Sequence, residues 1–506
     1  MKANKILFDT YNPYEVDLSN IEIKDIKTNS RLIEKNDLFV AIKGHTVDGH
    51  QFIESAVMQG ASLILADKHF KKIMDSKNTQ QLNIVFVDYT YDYLSAIMNR
   101  FLDYPSRKLN VFGITGTNGK TSTANILTQV LTKTGQASGV IGTTGVHTQN
   151  CSYPLNNTTP DPLVLQNVFN KMVELNIENM IMEVSSIGLA ENRTKETDFS
   201  VAIFTNFSQD HLDFHGTMEN YLEAKVKFFS ELEPYNSRGM ENFAIINRDD
   251  NKSEYFIKQS KATVLTYGLN KNADYYANNI LYSELGTSFT LHHNNQQYFI
   301  ETSLIGEFNV YNVLAAIAAA HSQNISLENI IAQLKTLMPV DGRLEIVSDT
   351  LKDDVAVIVD FAHTPDSLEK ALRTLSHIDH NQIISVFGCG GDRDASKRPI
   401  MGQIGLDNSD FVIFTSDNPR TESPESILKD MTESLIGDNY RQIIKREEAI
   451  HHAISIAKKG DIVLIAGKGH EDYQIIGKDK HPFDDRKIAR EALNSRRKER
   501  TIKARL

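Results

Sequence analysis

A chain of 506 residues is too long for one hydrophobic core and predicts two to four domains. Its 41% hydrophobic and 24% charged residues are those of a globular protein, and no apolar run approaches a membrane span. A formal net charge of −11 argues against general nucleic-acid affinity, and two cysteines, Cys151 and Cys389, make no disulfide framework, which suits a reducing cytoplasm.

No long apolar segment precedes Asp9 and Glu15, so no signal peptide is expected. Residues 37–43, 62–66 and 84–88 read as buried strands from their β-branched and aromatic content, and residues 51–59 have helical spacing. Two polar loops, at 28–31 and 44–50, lie beside strands; each is either a plain turn or a binding loop. Residues 101–110, with Pro105 among them, read as a linker.

The stretch 113–123, GITGTNGKTST, follows a short apolar run and leads into a helical pattern over 120–134. Amides of a glycine-rich turn and of a helix N-terminus converge on one spot and favour anions. Lys120 adds a full positive charge, and the Thr121 hydroxyl suits Mg²⁺. The spacing departs from the strict P-loop, since five residues rather than four separate Gly113 from Gly119.

Strands expected at 179–185, 201–207, 243–247 and 263–267, alternating with helices, predict a mainly parallel sheet with ligands outside its carboxyl ends. Glu183 and Asn206 fall near such ends; an acid there is a Mg²⁺ candidate or a structural acceptor. His211, Asp213 and His215 form either a metal-suited loop or a polar loop that satisfies its own backbone. Lys225, one turn after Tyr221 and beside Leu222, Val226, Phe228 and Phe229, is expected to be partly desolvated with a lowered pKa. A neutral amine can add CO₂ to become a carbamate that binds Mg²⁺, whereas most lysines reach back to water.

A second alternation starts near Met338: strands at 355–361, 382–387, 411–416, 443–445 and 461–466, with helices at 365–375, 424–435 and 447–458. It predicts a C-terminal Rossmann-like doubly wound sheet. The turn at 388–391 lacks the G-x-G-x-x-G spacing, so no nicotinamide cofactor is assigned. The basic tail after Arg486 reads as a solvated terminal helix. Turns holding Asn309, Arg343 and His363 sit at strand or domain ends, and Arg343 is placed to reach over phosphates. Arg393, Asp417, Asn418, Pro419, Arg420, Gly467 and Glu471 lie just past strand ends, which converge on one crevice. Two guanidinium forks for carboxylate and Glu471 for an ammonium group suit a zwitterion.

In chain order the motifs TGTNGKTS, NNTTPD, MEVSS, DHLDFHG, YLEAK, GEFNVYN, DGR, AHTPD, GGDRD, DNPR and GKGHE form a specific set. As a set, from the Asn-Ser-Arg loop to Glu471, it resembles the ATP-dependent Mur ligases of peptidoglycan synthesis. The resemblance implies a cytoplasmic monomer of three α/β domains: 1–105 for the UDP-sugar, 106–338 for ATP on a central P-loop-type sheet, and 339–506 for the amino acid. It implies that Ser30, His45, Thr46 and Val47 hold the uridine nucleotide. Asn157, Thr158, Thr159, Ser185, Glu191 and Arg193 would hold the muramoyl dipeptide. ATP would lie on Gly116, Thr117, Asn118, Gly119, Lys120 and Thr121, with Asn309, Arg343 and His363 nearby. Mg²⁺ would sit on Thr121, Glu183, His211 and a carbamate of Lys225; Lys120, Glu183, His211 and Lys225 are thus the catalytic set.

The implied reaction activates a D-glutamyl carboxylate of UDP-N-acetylmuramoyl dipeptide as an acyl phosphate and joins it to an amine. Arg420 in DNPR implies meso-diaminopimelate rather than lysine. The chain departs from the family pattern at Ile187, Glu191 and Phe361, where His, Gln and Tyr are common. Alternatives are the same reaction with L-lysine, a folylpolyglutamate-synthase-like ligase, and a silent nucleotide-binding regulator.

Overall fold

The computed structural model describes residues 1–8, 10, 17–44, 47–71, 83–283, 286–349 and 351–503. The chain forms two compact units, each discontinuous in sequence: residues 1–113, 136–202 and 231–242 in the first, and residues 114–135, 203–230 and 243–506 in the second.

The first unit opens with four parallel strands in sequence order, β1 (Ile26–Lys27), β2 (Leu38–Val40), β3 (Leu63–Asp67) and β4 (Ile84–Val87). Strands buried on both faces read as unbroken apolar runs, and β2 and β3 are buried at every position. One face packs on the helix Thr90–Phe101 through Leu94, Ile97 and Met98, the i, i+3, i+4 stripe of an amphipathic helix. The other face meets Ile53 and Ala56 of the short helix Ile53–Met58.

The expected linker is packed structure instead. Pro105 starts a 3₁₀ turn, Pro105–Lys108, where its missing N–H is harmless; Pro105 and Ser106 are buried, and the Ser106 hydroxyl accepts from the Asp198 amide at 3.1 Å. Two strands, β5 (Asn110–Thr115) and, later, β10 (Phe199–Phe204), begin in the first unit and end in the second. Between them come β6 (Ser138–Gly142), β7 (Gly145–Thr148), β8 (Ser152–Tyr153) and β9 (Asn179–Glu183). β6 pairs parallel with β9 and antiparallel with β7, which pairs antiparallel with β8.

In the second unit β11 (Phe243–Asn247) and β12 (Thr263–Gly268) are parallel, and β12 is parallel to β13 (Tyr275–Ser283). An antiparallel meander then adds β14 (Gly286–His293) and β15 (Gln296–Thr302), so the central sheet is mixed rather than uniformly parallel.

The C-terminal sheet runs β16-β17-β21-β18-β19-β20, with β16 (Glu345–Ile346) antiparallel and the others parallel: β17 (Ala356–Asp360), β18 (Ile383–Phe387), β19 (Phe411–Phe414), β20 (Tyr440–Gln442) and β21 (Ile462–Ala466). Leu368, Leu372, Met401 and Leu428 cover one face from three helices, while Ala449, Ile450, Ala489 and Leu493 cover the other. That is the doubly wound arrangement expected. The terminal helix Asp485–Lys503 is not merely solvated, because Ala489, Ala492 and Leu493 are buried in this core. A small hairpin, β22 (Tyr473–Ile476) with β23 (Asp479–Pro482), follows β21.

Candidate active site

β5 delivers the chain into the turn 116–119, and the helix Lys120–Lys133 leaves it. Gly116 and Gly119 have φ +147° and +84°, and a Cβ would lie 1.9 Å from Thr205 Oγ1 at the first and 2.7 Å from Asn312 Oδ1 at the second. Only glycine fits both the backbone and the space. Asn206 clamps the turn: its carbonyl accepts from the Thr117 amide (2.8 Å), its Oδ1 from the Asn118 amide (2.9 Å), and its Nδ2 donates to the Asn118 carbonyl (3.0 Å). Gly119 caps the helix with no side-chain acceptor.

Lys120 Nζ donates to the carbonyls of Gly116 and Thr117, both at 2.8 Å. Lys225 Nζ donates to the same Gly116 carbonyl at 2.8 Å and lies 4.7 Å from the Tyr221 ring centre. Lys225 is 1% exposed. Burial, and then the nearby Lys120 charge, hold its amine well below the ordinary lysine range, against a weaker pull from Asp210. Burial likewise lowers His211, with Asp210 opposing.

Among the described residues, two of the cavities lie in the second unit. The larger, about 290 Å³, is walled by Asn118, Gly119, Asn312, Arg343, Tyr267 and Lys370 among others. Arg343 stacks its guanidinium 4.4 Å from the Phe361 ring centre. Asn309 is not on this wall; it donates to the Ile305 carbonyl and accepts from Asn312, which takes the cavity position. Asn312, Tyr267, Asp249, Asp250 and Lys370 were not singled out in the sequence. Asn312 sits one helical turn after Asn309, Tyr267 lies in β12, Asp249 and Asp250 follow β11, and Lys370 is on a helix, with no motif marking these four.

The smaller cavity, about 180 Å³, gathers His211, Asp213, His363, Arg393, Asp417, Asn418, Arg420, Gly467 and Glu471. His363, expected beside the nucleotide, lies here, and burial plus the Lys397 charge lower it to about 4. Arg420 holds φ +51° because the hairpin β22–β23 grips its backbone: its amide donates to Ile475 O (3.1 Å) and Gly477 N to its carbonyl (2.8 Å). Pro419 shapes this turn but is not on the wall. Glu471 accepts from Lys468 Nζ and Asn418 Nδ2, each at 3.0 Å.

The first unit holds the remaining candidates. Thr159 Oγ1 donates to the Glu183 carbonyl (2.9 Å) and to Ser185 Oγ (3.1 Å), and Arg193 Nη1 donates to the Thr159 carbonyl (2.9 Å). Arg193 also pairs with Glu191 at 2.5 Å. The Glu183 carboxylate accepts from the Thr143 amide (2.9 Å), and Thr143 Oγ1 meets Thr158 Oγ1 at 3.1 Å. These residues form one network; Asn157 is exposed beside it. Ser30 is buried, following the Asn29 cap of a 3₁₀ turn, and Val47 is exposed; His45 and Thr46 lie outside the described residues.

Among the described residues no three His, Cys, Asp or Glu side chains gather as a metal cage. The grouping His211–Asp213–His215 is therefore set aside, and the His215 ring lies tilted against Tyr221, 5.2 Å between centroids. A hydroxyl such as Thr121 with one imidazole suits Mg²⁺ only alongside substrate oxygens, the way this ion is commonly held. A neutral Lys225 fits that setting where an ammonium would repel the ion.

Fold and loop define the class, a P-loop-type α/β protein. Family models match residues 22–102 (Mur ligase family, catalytic domain), 114–320 (Mur ligase middle domain) and 342–469 (Mur ligase, glutamate ligase domain). The chain is 44% identical, over 98% of its length and 99% of theirs, to a UDP-N-acetylmuramoyl-L-alanyl-D-glutamate--2,6-diaminopimelate ligase of Bacillus cereus. It is 41% identical, over 97% and 99%, to ligase 1 of that name in Clostridium acetobutylicum. A solved structure of a ligase of the same name aligns over 98% of this chain and 99% of its own, with 33% identity and TM-score 0.69. MurF ligase from Thermotoga maritima in complex with ADP shares the fold at 19% identity and TM-score 0.65, covering 95% and 99%. The chain belongs to the Mur ligase family, and is an ATP-dependent ligase. No helix among the described residues is long and apolar enough to cross a membrane.

Proposed function

We propose that the chain joins meso-diaminopimelate to UDP-N-acetylmuramoyl-L-alanyl-D-glutamate at the expense of ATP, in peptidoglycan synthesis. In this reading residues 1–105, 106–338 and 339–506 serve the UDP-sugar, ATP and the amino acid. Carrying it is the smaller cavity: Arg393 and Arg420, whose side chains among the described residues hydrogen-bond backbone carbonyls, share a wall with Asp417 and Glu471. A doubly zwitterionic diamine supplies carboxylates for the first two and an ammonium for the acids.

The turn 116–121 cradles the triphosphate, with Lys120 and the helix N-terminus offsetting its charge. The larger cavity takes the nucleoside, and Arg343 lies over it from the C-terminal sheet. Thr159, Ser185 and Arg193 hold the dipeptide, so that its carboxylate becomes the acyl phosphate. Thr121, His211 and a carbamate formed on Lys225 would hold Mg²⁺, which when bound offsets phosphate charge. The incoming amine arrives neutral and displaces phosphate, leaving an amide.

Phosphate release with ATP, Mg²⁺ and the UDP-dipeptide, run in parallel with diaminopimelate and with lysine, tests this. Lysine, with a single carboxylate, leaves one guanidinium unpaired, a penalty of about 2–5 kcal/mol or at least roughly 30-fold in kcat/KM. Arg420→Ala should raise KM for diaminopimelate by a similar factor while leaving that for ATP nearly unchanged. Equal ligation of the two amino acids would overturn the choice of substrate.

A further inference from the structure

If the ligase reading holds, the smaller cavity carries one more cation than its amino acid needs. Arg393, Lys397 and Arg420 all line it. Each donates to a backbone carbonyl, of Asp392 (3.3 Å), His363 (2.9 Å) and Gly391 (2.8 Å) in turn, and among the described residues none donates to a carboxylate. Diaminopimelate has two carboxylates. Arg420 and Arg393 stand close enough that, after burial, the Arg393 charge is the next cause lowering Arg420, and the acids acting on Arg420 are Asp417, Glu471 and Asp392.

Lys397 belongs to the other end. Its charge bears on Asp210, His363, Cys389 and Asp394, and Asp210 hydrogen-bonds the His211 amide at 2.9 Å. His211 is the residue assigned to the phosphate side. Lys397 is also the first residue of the helix Lys397–Asn408, whose N-cap Ser396 provides no side-chain acceptor. A cation there opposes the helix dipole, so helix stability does not account for it.

We propose that Lys397 is a catalytic residue of the amide-forming step, its ammonium contacting the phosphate of the acyl phosphate. In that step the amine lone pair forms the C–N bond. The acyl C–O bond breaks with its electron pair remaining on the phosphate oxygen, and the proton lost by the amine ends on phosphate, released as HPO₄²⁻. Lys397 keeps its own protons and stabilises the charge that gathers on the departing group.

Wild-type ligation of diaminopimelate is measured first; its absence would remove the ligase reading itself. With that activity in hand, Lys397→Gln should lower kcat roughly 100-fold at saturating diaminopimelate, with KM for that amino acid within about threefold of wild type. Product inhibition by inorganic phosphate should weaken about tenfold while that by ADP is unchanged, and Lys397→Arg should recover much of kcat. An unchanged kcat, or a loss confined to KM for diaminopimelate, overturns the role of Lys397 and leaves the ligase reading standing. A measurement on the wild-type protein decides even if the variants misfold. Acetylation of Lys397, mapped by mass spectrometry, should be slowed by inorganic phosphate added with ADP and Mg²⁺, and lack of protection overturns the assignment.

Discussion

Lys225 and Lys120 share one acceptor, the Gly116 carbonyl, and burial with the Lys120 charge holds the amine of the buried member well below the ordinary lysine range. A lysine whose folded pKa is depressed binds its proton more readily when unfolded. Between the folded value and the ordinary 10.5, the unfolded state therefore holds more protons, and stability rises with pH. At neutral pH in CO₂-free buffer Lys225 is thus a burden on the fold. Lys225→Met should match or exceed wild-type thermal stability at pH 7, with the difference shrinking as pH approaches 10.5. Ligation should fall roughly 100-fold or more as the orienting group is lost. A methionine variant less stable than wild type at pH 7 would sink this account. The neighbouring aromatic residues made partial burial of Lys225 legible in the sequence. The second amine on the same carbonyl was not legible, since it depends on a contact between residues 109 positions apart.

At the scale of elements, the phosphate turn is the most locally encoded part of the molecule, since its glycines, lysine and flanking strand and helix all lie within about 25 residues. Gly116→Ala should abolish ATP binding measured by calorimetry and cost roughly 1–3 kcal/mol in urea unfolding, because backbone and Thr205 both exclude a methyl group. Retained ATP affinity would show that the turn adapts.

The meander β13–β15 was not legible. Its strands carry Asn, His, Ser and Gln, the pairing shifts at Asn278/Leu281, and the hairpin turn Asn294–Asn295 takes two positive φ values without any glycine. The strand expected at 443–445 lies at Tyr440–Gln442, where β19 supplies a partner that local propensity does not reveal. His363 was expected near ATP, and its side chain lines the smaller cavity, where its carbonyl accepts from Lys397 Nζ at 2.9 Å, a long-range contact that the local sequence does not reveal.

Across the whole molecule the terminal helix has the widest influence. Its basic residues hide a small apolar stripe, so it read as a solvated appendage. It also supplies Asp485, which bonds Arg446 at 2.8 and 2.7 Å with both side chains fully buried. Arg446 in turn donates to the Ala466 carbonyl at 2.9 Å, directly before Gly467 on the amino-acid cavity. Asp485→Ala strands a buried cation and should cost about 3–5 kcal/mol in urea unfolding. Arg446→Met with Asp485→Leu should cost less than that single change. A double variant as unstable as Asp485→Ala would mean that packing, not charge, dominates the joint.

During translation, residues 485–503 leave the ribosome after all the other elements described. Until they do, a nascent chain that has already shaped its phosphate turn has Arg446 without its counter-charge and the floor beneath Gly467 unpropped. Amino-acid capture is thereby deferred until that helix has emerged, and premature termination shortly before residue 485 would yield a nucleotide binder unable to extend a peptide.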